Sequence, residues 1–416
     1  MSMTRACVLL SKIKCWNLPF SSHIANKSMP MQRQALAPEL ADDVVREILL
    51  RLTPDDPACL LRASVVCKRW RSILTDPEFR RRHRTLHPSP FVLGFLRIVR
   101  DAVPYASRFV SIDPASRDLP CWLALDCRHG RALFATPSPG SGAQVTLDFI
   151  VWDPLTNERR RLPQLSPPPT DRTRFNAAVL CDAAAEGCDH RGCHRDPFRV
   201  IFIFNTSAST SARVYSSRTD DWSERISIRH PRVLVDNKPW PSALLGDALR
   251  FRGLERYGFE YQLSAQRLSV ISQPCSSLPA GIYISLVSAD DGELCFVNFF
   301  LENSLCLCLW SRYTTYNGLP HFRVIDLEKH LPENALLPRF AGANVTGFAE
   351  GTDVIFVAVY RYANHRGDVY MIQLNSGRAT KLFEGYSCIF PYTSFCIPVI
   401  DEASTAEEQQ EGVSSA

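Results

Sequence analysis

Residues 181–198, CDAAAEGCDHRGCHRDPF, bring Cys181, Cys188, Cys193, His190 and His194 into one short stretch. Thiolates and imidazoles are ligands that tetrahedral zinc prefers. The spacing, C-x6-C-x-H-x2-C-H, matches no standard zinc pattern, and the stretch is an Ala- and Gly-rich insertion between two strand-like runs. The plainer expectation is an exposed loop without metal. Should an ion bind, Cys188, His190, Cys193 and His194 are the candidate ligands. Other chemistry is not suggested. The sequence holds no HExxH and no GxSxG, and PGSGA at 139–143 is a proline-flanked turn rather than a phosphate loop. Histidines are few, and none is spaced with a carboxylate in a recognisable catalytic pair. Neither catalysis nor a cofactor is expected.

The second stretch that could do chemistry is RASVVCKRWRSIL at 62–74. Basic residues around a tryptophan can track phosphate and stack a base. On a helix, however, Val66, Trp70, Ile73 and Leu74 share one face, and Lys68, Arg69 and Arg71 largely fall on others. The pattern predicts an amphipathic helix with a solvated basic side. The net charge of +4 gives no independent support to a nucleic-acid partner.

Around this stretch, residues 36–84 have a helical pattern. Leu40, Val44, Val45, Ile48, Leu49 and Leu52 form one apolar stripe. TPDDP at 53–57 stops that helix, and Asp56–Pro57 and Asp76–Pro77 read as caps followed by first-turn prolines. About 50 residues is near the lower limit for a core that stands alone. So many large apolar residues in so small a unit predict a surplus apolar face and therefore a partner.

The order LAPEL (36–40), EILLRL (47–52), CLLRASVVCKRWRSIL (59–74) and DPEF (76–79) resembles an F-box. Ala37 stands where the leading Leu-Pro pair usually has proline, and no apolar anchor is lost. The resemblance implies docking to the Skp-type adaptor of a cullin–RING (SCF-type) ubiquitin ligase. Leu36, Pro38, Leu40, Ile48, Leu49, Leu52, Leu60, Val65, Cys67 and Trp70 would form or support the surface. The rest of the chain would then grip a protein substrate, without an active site of its own. The alternative is a nucleic-acid or chromatin binder using the basic stretch 62–84.

From 91 to 400 short strand-like runs replace helical stripes. They include RALFAT (131–136), DFIVWDP (148–154), RVIFIFN (199–205), DVIFVAVY (353–360) and DVYMIQL (368–374). A weak strand–turn–strand repeat appears as IVWDPLTNERRRLP (150–163), VYSSRTDDWSERI (214–226), VYMIQLNSGRATKLF (369–383) and, more loosely, YQLSAQRLSVI (261–271). Repeats of this kind predict a β-propeller of six or seven blades. The fold class expected is α+β multidomain: a helical unit at 36–84 followed by an all-β domain at 91–400, the whole similar to a plant F-box protein with an F-box-associated β domain.

Residues 1–35 hold no acid, and read as a disordered leader or a transit peptide. Residues 401–416, with five acids, read as a disordered acidic tail. No apolar run reaches the ~18 residues a membrane helix needs. Fifteen scattered cysteines without a CxxC pair, among them Cys295, Cys306 and Cys308 in apolar runs, fit buried free thiols in a reducing compartment. Nucleus or cytoplasm is the expected location.

Overall fold

A computed structural model describes residues 40–395 apart from short internal stretches, the longest being 100–105, 112–116, 139–144, 273–284, 289–293, 301–305, 315–319, 333–339 and 362–366. The leader, the tail, Leu36, Pro38 and His194 lie outside the described residues, as do the side chains of Cys295, Cys306 and Cys308. The chain divides into two compact units, one containing the helices up to His87 and one spanning Pro88–Pro398.

The helical unit holds α1 (Asp42–Leu50), α2 (Pro57–Ser64), α3 (Lys68–Thr75) and α4 (Pro77–Leu86). Its core is Val45, Leu49, Leu50, Leu60, Ala63, Ile73, Leu74 and Phe79. Asp42 and Asp43 sit in the first turn of α1, against the positive end of the helix dipole. Pro57 opens α2 at its first turn, where a missing N–H costs nothing. Asp56 does not cap α2 with its side chain as expected, and instead accepts the Cys59 thiol at 3.2 Å. Asp76 does cap α4, accepting the Glu78 N–H at 3.0 Å. Arg46 reaches the same carboxylate at 2.5 Å, which fastens α1 to the start of α4.

The single amphipathic helix expected across 62–74 is broken. Val65 and Val66 form a turn, and Cys67 is extended and caps α3 through its sulfur, which accepts the Trp70 N–H at 3.5 Å. Val66 therefore does not share a helical face with Ile73 and Leu74. The β-branched pair resists continuing the helix, and a side-chain acceptor at Cys67 starts a new one.

The second unit is all β, and every strand-like run named above lies on a strand. Five antiparallel sheets are made of consecutive strands. These are β4–β7 (Leu123–Arg161), β8–β12 (Phe175–Ile228), β13–β16 (Ala243–Ser272), β17–β20 (Ser285–Asp326) and β21–β24 (Phe340–Glu384). A further sheet is composite: β1 (Phe91–Val99), β2 (Ala106–Ser111) and β3 (Arg117–Leu119) are completed by the last strand, β25 (Ile389–Ser394). The expectation of a propeller of six or seven blades is thus corrected to five blades of consecutive strands and one composite sheet. Five sheets are sequential, and the two ends of the domain share the remaining one. Ser387 helps lock this closure, because its hydroxyl accepts from Ile98 N–H at 2.9 Å and donates to Ile98 O at 3.0 Å.

The sheets are arranged as in a propeller. β25 packs beside β4, β4 beside β8, β13 beside β17, β17 beside β21 and β21 beside β25. The apolar cores lie between neighbouring sheets. One joins Leu133, Phe149 and Val151 to Val179, Phe202 and Trp222. Another joins Ile201 and Ile203 to Phe251, Phe259 and Tyr261. A third joins Phe95 and Ile389 to Phe356 and Val369. Adjacent sheets come so close that a Cβ on Gly347 of β21 would meet the Ile389 carbonyl at 2.5 Å.

The weak repeat has a physical basis. Its four copies are the outer hairpins β6–β7, β10–β11, β15–β16 and β23–β24. In each, a buried residue (Trp152, Tyr215, Tyr261, Ile372) is followed five positions later by a residue with positive φ: Asn157, Asp220, Gln266 and Gly377. Asn and Gly suit that conformation. In the first two copies the turn residue also accepts from the ring, Trp152 Nε1 to Asn157 at 3.1 Å and Tyr215 OH to Asp220 at 2.7 Å.

Candidate docking surface and central cavity

In the helical unit, burial sorts the expected docking residues into three groups. Leu49 and Leu60 are fully buried, so they support a surface without reaching it. Ile48, Leu52 and Trp70 are half-buried. Leu40 (44% exposed), Val65 (51%) and the Cys67 thiol face solvent, and so do Val44 (46%) and Val66 (45%). With Leu86 (58%), these are the exposed large hydrophobic residues among those described, and all lie in the helical unit. The stripe expected along α1 divides accordingly, with Val45 and Leu49 inward and Leu40 and Val44 outward.

Several basic residues of this unit hold partners within it. Arg69 pairs with Asp42, Arg81 with Glu78 at 2.7 Å and Arg82 with Glu47 at 2.9 Å. Arg80 and Arg71 donate to the Leu74 and Ser64 carbonyls at 3.0 and 3.3 Å. Two histidines of the run that follows finish α1. His83 Nε2 donates to Leu52 O at 3.0 Å, and His87 Nε2 donates to Leu50 O at 2.8 Å. They satisfy carbonyls that a helix end leaves without partners. Burial pushes the His83 imidazole down to about 4, outweighing the carbonyl that favours its protonated form.

In the β unit, a cavity of about 210 Å³ is lined by the β4–β5 turn (Asp126–Gly130), Ser242 ahead of β13, Glu350 after β21, the end of β25, and His190. Arg128 crosses it, buried. Its guanidinium donates to Glu350 through Nε and Nη2, both at 2.9 Å, to Asp126 at 3.2 Å, and to the Ser242 hydroxyl and carbonyl at 3.1 and 2.7 Å. One side chain thus ties three sheets together. Burial lifts the Asp126 carboxyl to about 6, although Arg128 and the Val179 N–H both favour its charged form. Sequence reading missed this network. Its signal was DCRHG (126–130), a charged hairpin following the apolar run LAL.

Of the candidate metal ligands, the structure brings His190 and Cys193 together and adds Cys181 and His129. One ligand atom from each of these four lies within 4.8 Å of all the others. His129 lies more than 50 positions before the insertion in sequence, so spacing could not reveal it.

Residues 38–82 match the family model described as the F-box domain. An Arabidopsis thaliana F-box protein is 26% identical over 199 residues, covering 46% of this chain and 48% of the relative. An Arabidopsis thaliana F-box/kelch-repeat protein is 24% identical over 295 residues, covering 64% of each. The chain thus spans from about half to under two thirds of the length of these curated relatives. Among solved structures, a prolyl endopeptidase superposes loosely, with a TM-score of 0.34, 10% identity, and coverage of 69% of this chain and 38% of that one. The chain carries an F-box domain at 38–82 followed by a β-propeller-like domain, and its relatives are Arabidopsis F-box proteins.

Proposed function

We propose that the protein is the substrate-receptor subunit of an SCF-type cullin–RING ubiquitin ligase. The helical unit docks a Skp-type adaptor, and through it a cullin. The β domain holds a target protein, without catalysis by this chain. The observation that carries the reading is the placement of exposed apolar residues. Leu40, Val44, Val65 and Val66 lie outward on a unit too small to hide them, within the residues that match the F-box. The net charge of +4 gives the nucleic-acid alternative no independent support. We place the protein in the nucleus or cytoplasm, where such ligases act. The test is a pull-down of purified Skp-type adaptor by the full chain, followed by assembly with cullin. An adaptor that is not retained at micromolar concentration refutes the proposal.

A further inference from the structure

The connection between β8 and β9 is built around sulfur. Cys181 ends β8, a short 3-10 helix follows at Asp182–Glu186, and Cys188, His190 and Cys193 come before β9 begins at Phe198. His190 Nδ1 lies 3.2 Å from the Cys181 sulfur and 3.7 Å from the Cys193 sulfur. Cys188, half-buried, lies in the same connection. The His190 N–H points at the Cys188 sulfur at 3.4 Å. His190 adopts φ of +57° to do this, a conformation that non-glycine residues rarely take.

Hydrogen bonding alone serves this cluster poorly. A neutral imidazole nitrogen has one lone pair or one proton, so Nδ1 of His190 can satisfy only one of the two thiols that approach it. A tetrahedral zinc ion with Zn–S of about 2.3 Å and Zn–N of about 2.0–2.1 Å sets S···N separations of about 3.6 Å. The two observed distances bracket that value.

We propose that Cys181, Cys188, His190 and Cys193 bind one structural zinc ion, and that His129 is a positioning residue beside it. His129 is close enough to be a ligand, but its Nδ1 accepts the Cys181 N–H at 3.1 Å. With that lone pair used, Nε2 carries the proton and has none to give a metal. Its ring stacks on His190 at 3.7 Å, nearly parallel, and so fixes the plane of the ligand. Three thiolates, one neutral imidazole and Zn²⁺ leave a net charge of −1, and binding releases the three thiol protons. Arg131, which donates to the Cys193 carbonyl at 3.0 Å and to the Asp196 carbonyl, anchors the insertion and supplies the compensating charge. His129 and His190 also line the cavity. Zinc would therefore hold the wall of that cavity in place, independently of whether the helical unit docks an adaptor.

The test is metal analysis of the full chain, purified without chelator from zinc-supplemented cells, with cobalt substitution as a second readout. About one zinc per chain, and a cobalt form with intense thiolate charge-transfer absorption, are expected. Cys193→Ser and Cys188→Ser should each lose the metal. His129→Gln should keep the stoichiometry and the cobalt spectrum while binding zinc about 10–100-fold more weakly. Wild-type protein with little zinc and no cobalt spectrum overturns the proposal, as does a Cys181–Cys193 disulfide in the unreduced chain. Full zinc in Cys188→Ser together with its loss in His129→Gln overturns the assignment of the fourth ligand.

Discussion

Replacing Val65 and Val66 together by aspartate separates docking from folding. Both side chains are about half exposed in the helical unit, so each can still bury about half of its surface on a partner. Full burial of a valine is worth about 1.5–3 kcal/mol, which leaves about 1 kcal/mol per residue for docking. Two carboxylates placed in an apolar contact add at least about 1 kcal/mol each. The sum is about 4 kcal/mol, or a loss of several hundred-fold in adaptor affinity. Folding should respond less: both side chains are surface-exposed, and although Val65 is the C-cap of α2, an aspartate there opposes the helix dipole by only about 0.3–1 kcal/mol. Trp70→Ala lacks this clarity, since Trp70 is half-buried and its loss disturbs the unit itself. The assay is calorimetric titration of the adaptor into the full chain, with circular dichroism melting alongside. An affinity within threefold of wild type and an unchanged melt would falsify the assignment of this face.

Arg128→Met should destabilise the β domain by about 3–5 kcal/mol, because Asp126 and Glu350 lose a shared buried partner. Asp126→Asn should cost far less, since its carboxyl is already lifted to about 6 and an amide oxygen still accepts the Val179 N–H. Equal losses in urea midpoint for the two variants would contradict this account. Acid should loosen the helical unit. His83 is held at about 4, against about 6.5 in an unfolded chain. A depressed folded pKa gives stabilisation that is complete above 6.5 and fades as pH falls toward 4, on the order of 3 kcal/mol in all. Hydrogen exchange in α1 and α4, corrected for intrinsic rates, should accelerate across that window, and flat protection would count against it. Converting Arg80, Arg81 and Arg82 to Ala should leave retention on DNA at ~50 mM salt unchanged, because the wild type is expected not to bind. Strong wild-type retention would revive the nucleic-acid reading.

The F-box was legible because its signals are local. Helix stops at TPDDP, proline-opened turns at Asp56–Pro57 and Asp76–Pro77, and the Val-Cys-Lys-Arg-Trp order all act within one turn of the residues that carry them. The strand runs were legible for the same reason, and the weak repeat marked outer hairpins because one turn geometry recurs at Asn157, Asp220, Gln266 and Gly377. Local pattern also misled: 62–74 has a helical face on paper, yet Cys67 caps a new helix and Val65–Val66 turn outward. What tertiary structure alone decided is long-range. The pairing of β25 with β1, Arg128 reaching Glu350 across 222 positions, and His129 stacking on His190 leave no periodicity in the chain. Such contacts form only when sheets close around a common centre. Short-range propensity fixes the elements, whereas the burial of charge and the convergence of sulfur and nitrogen depend on which elements the closed ring brings face to face.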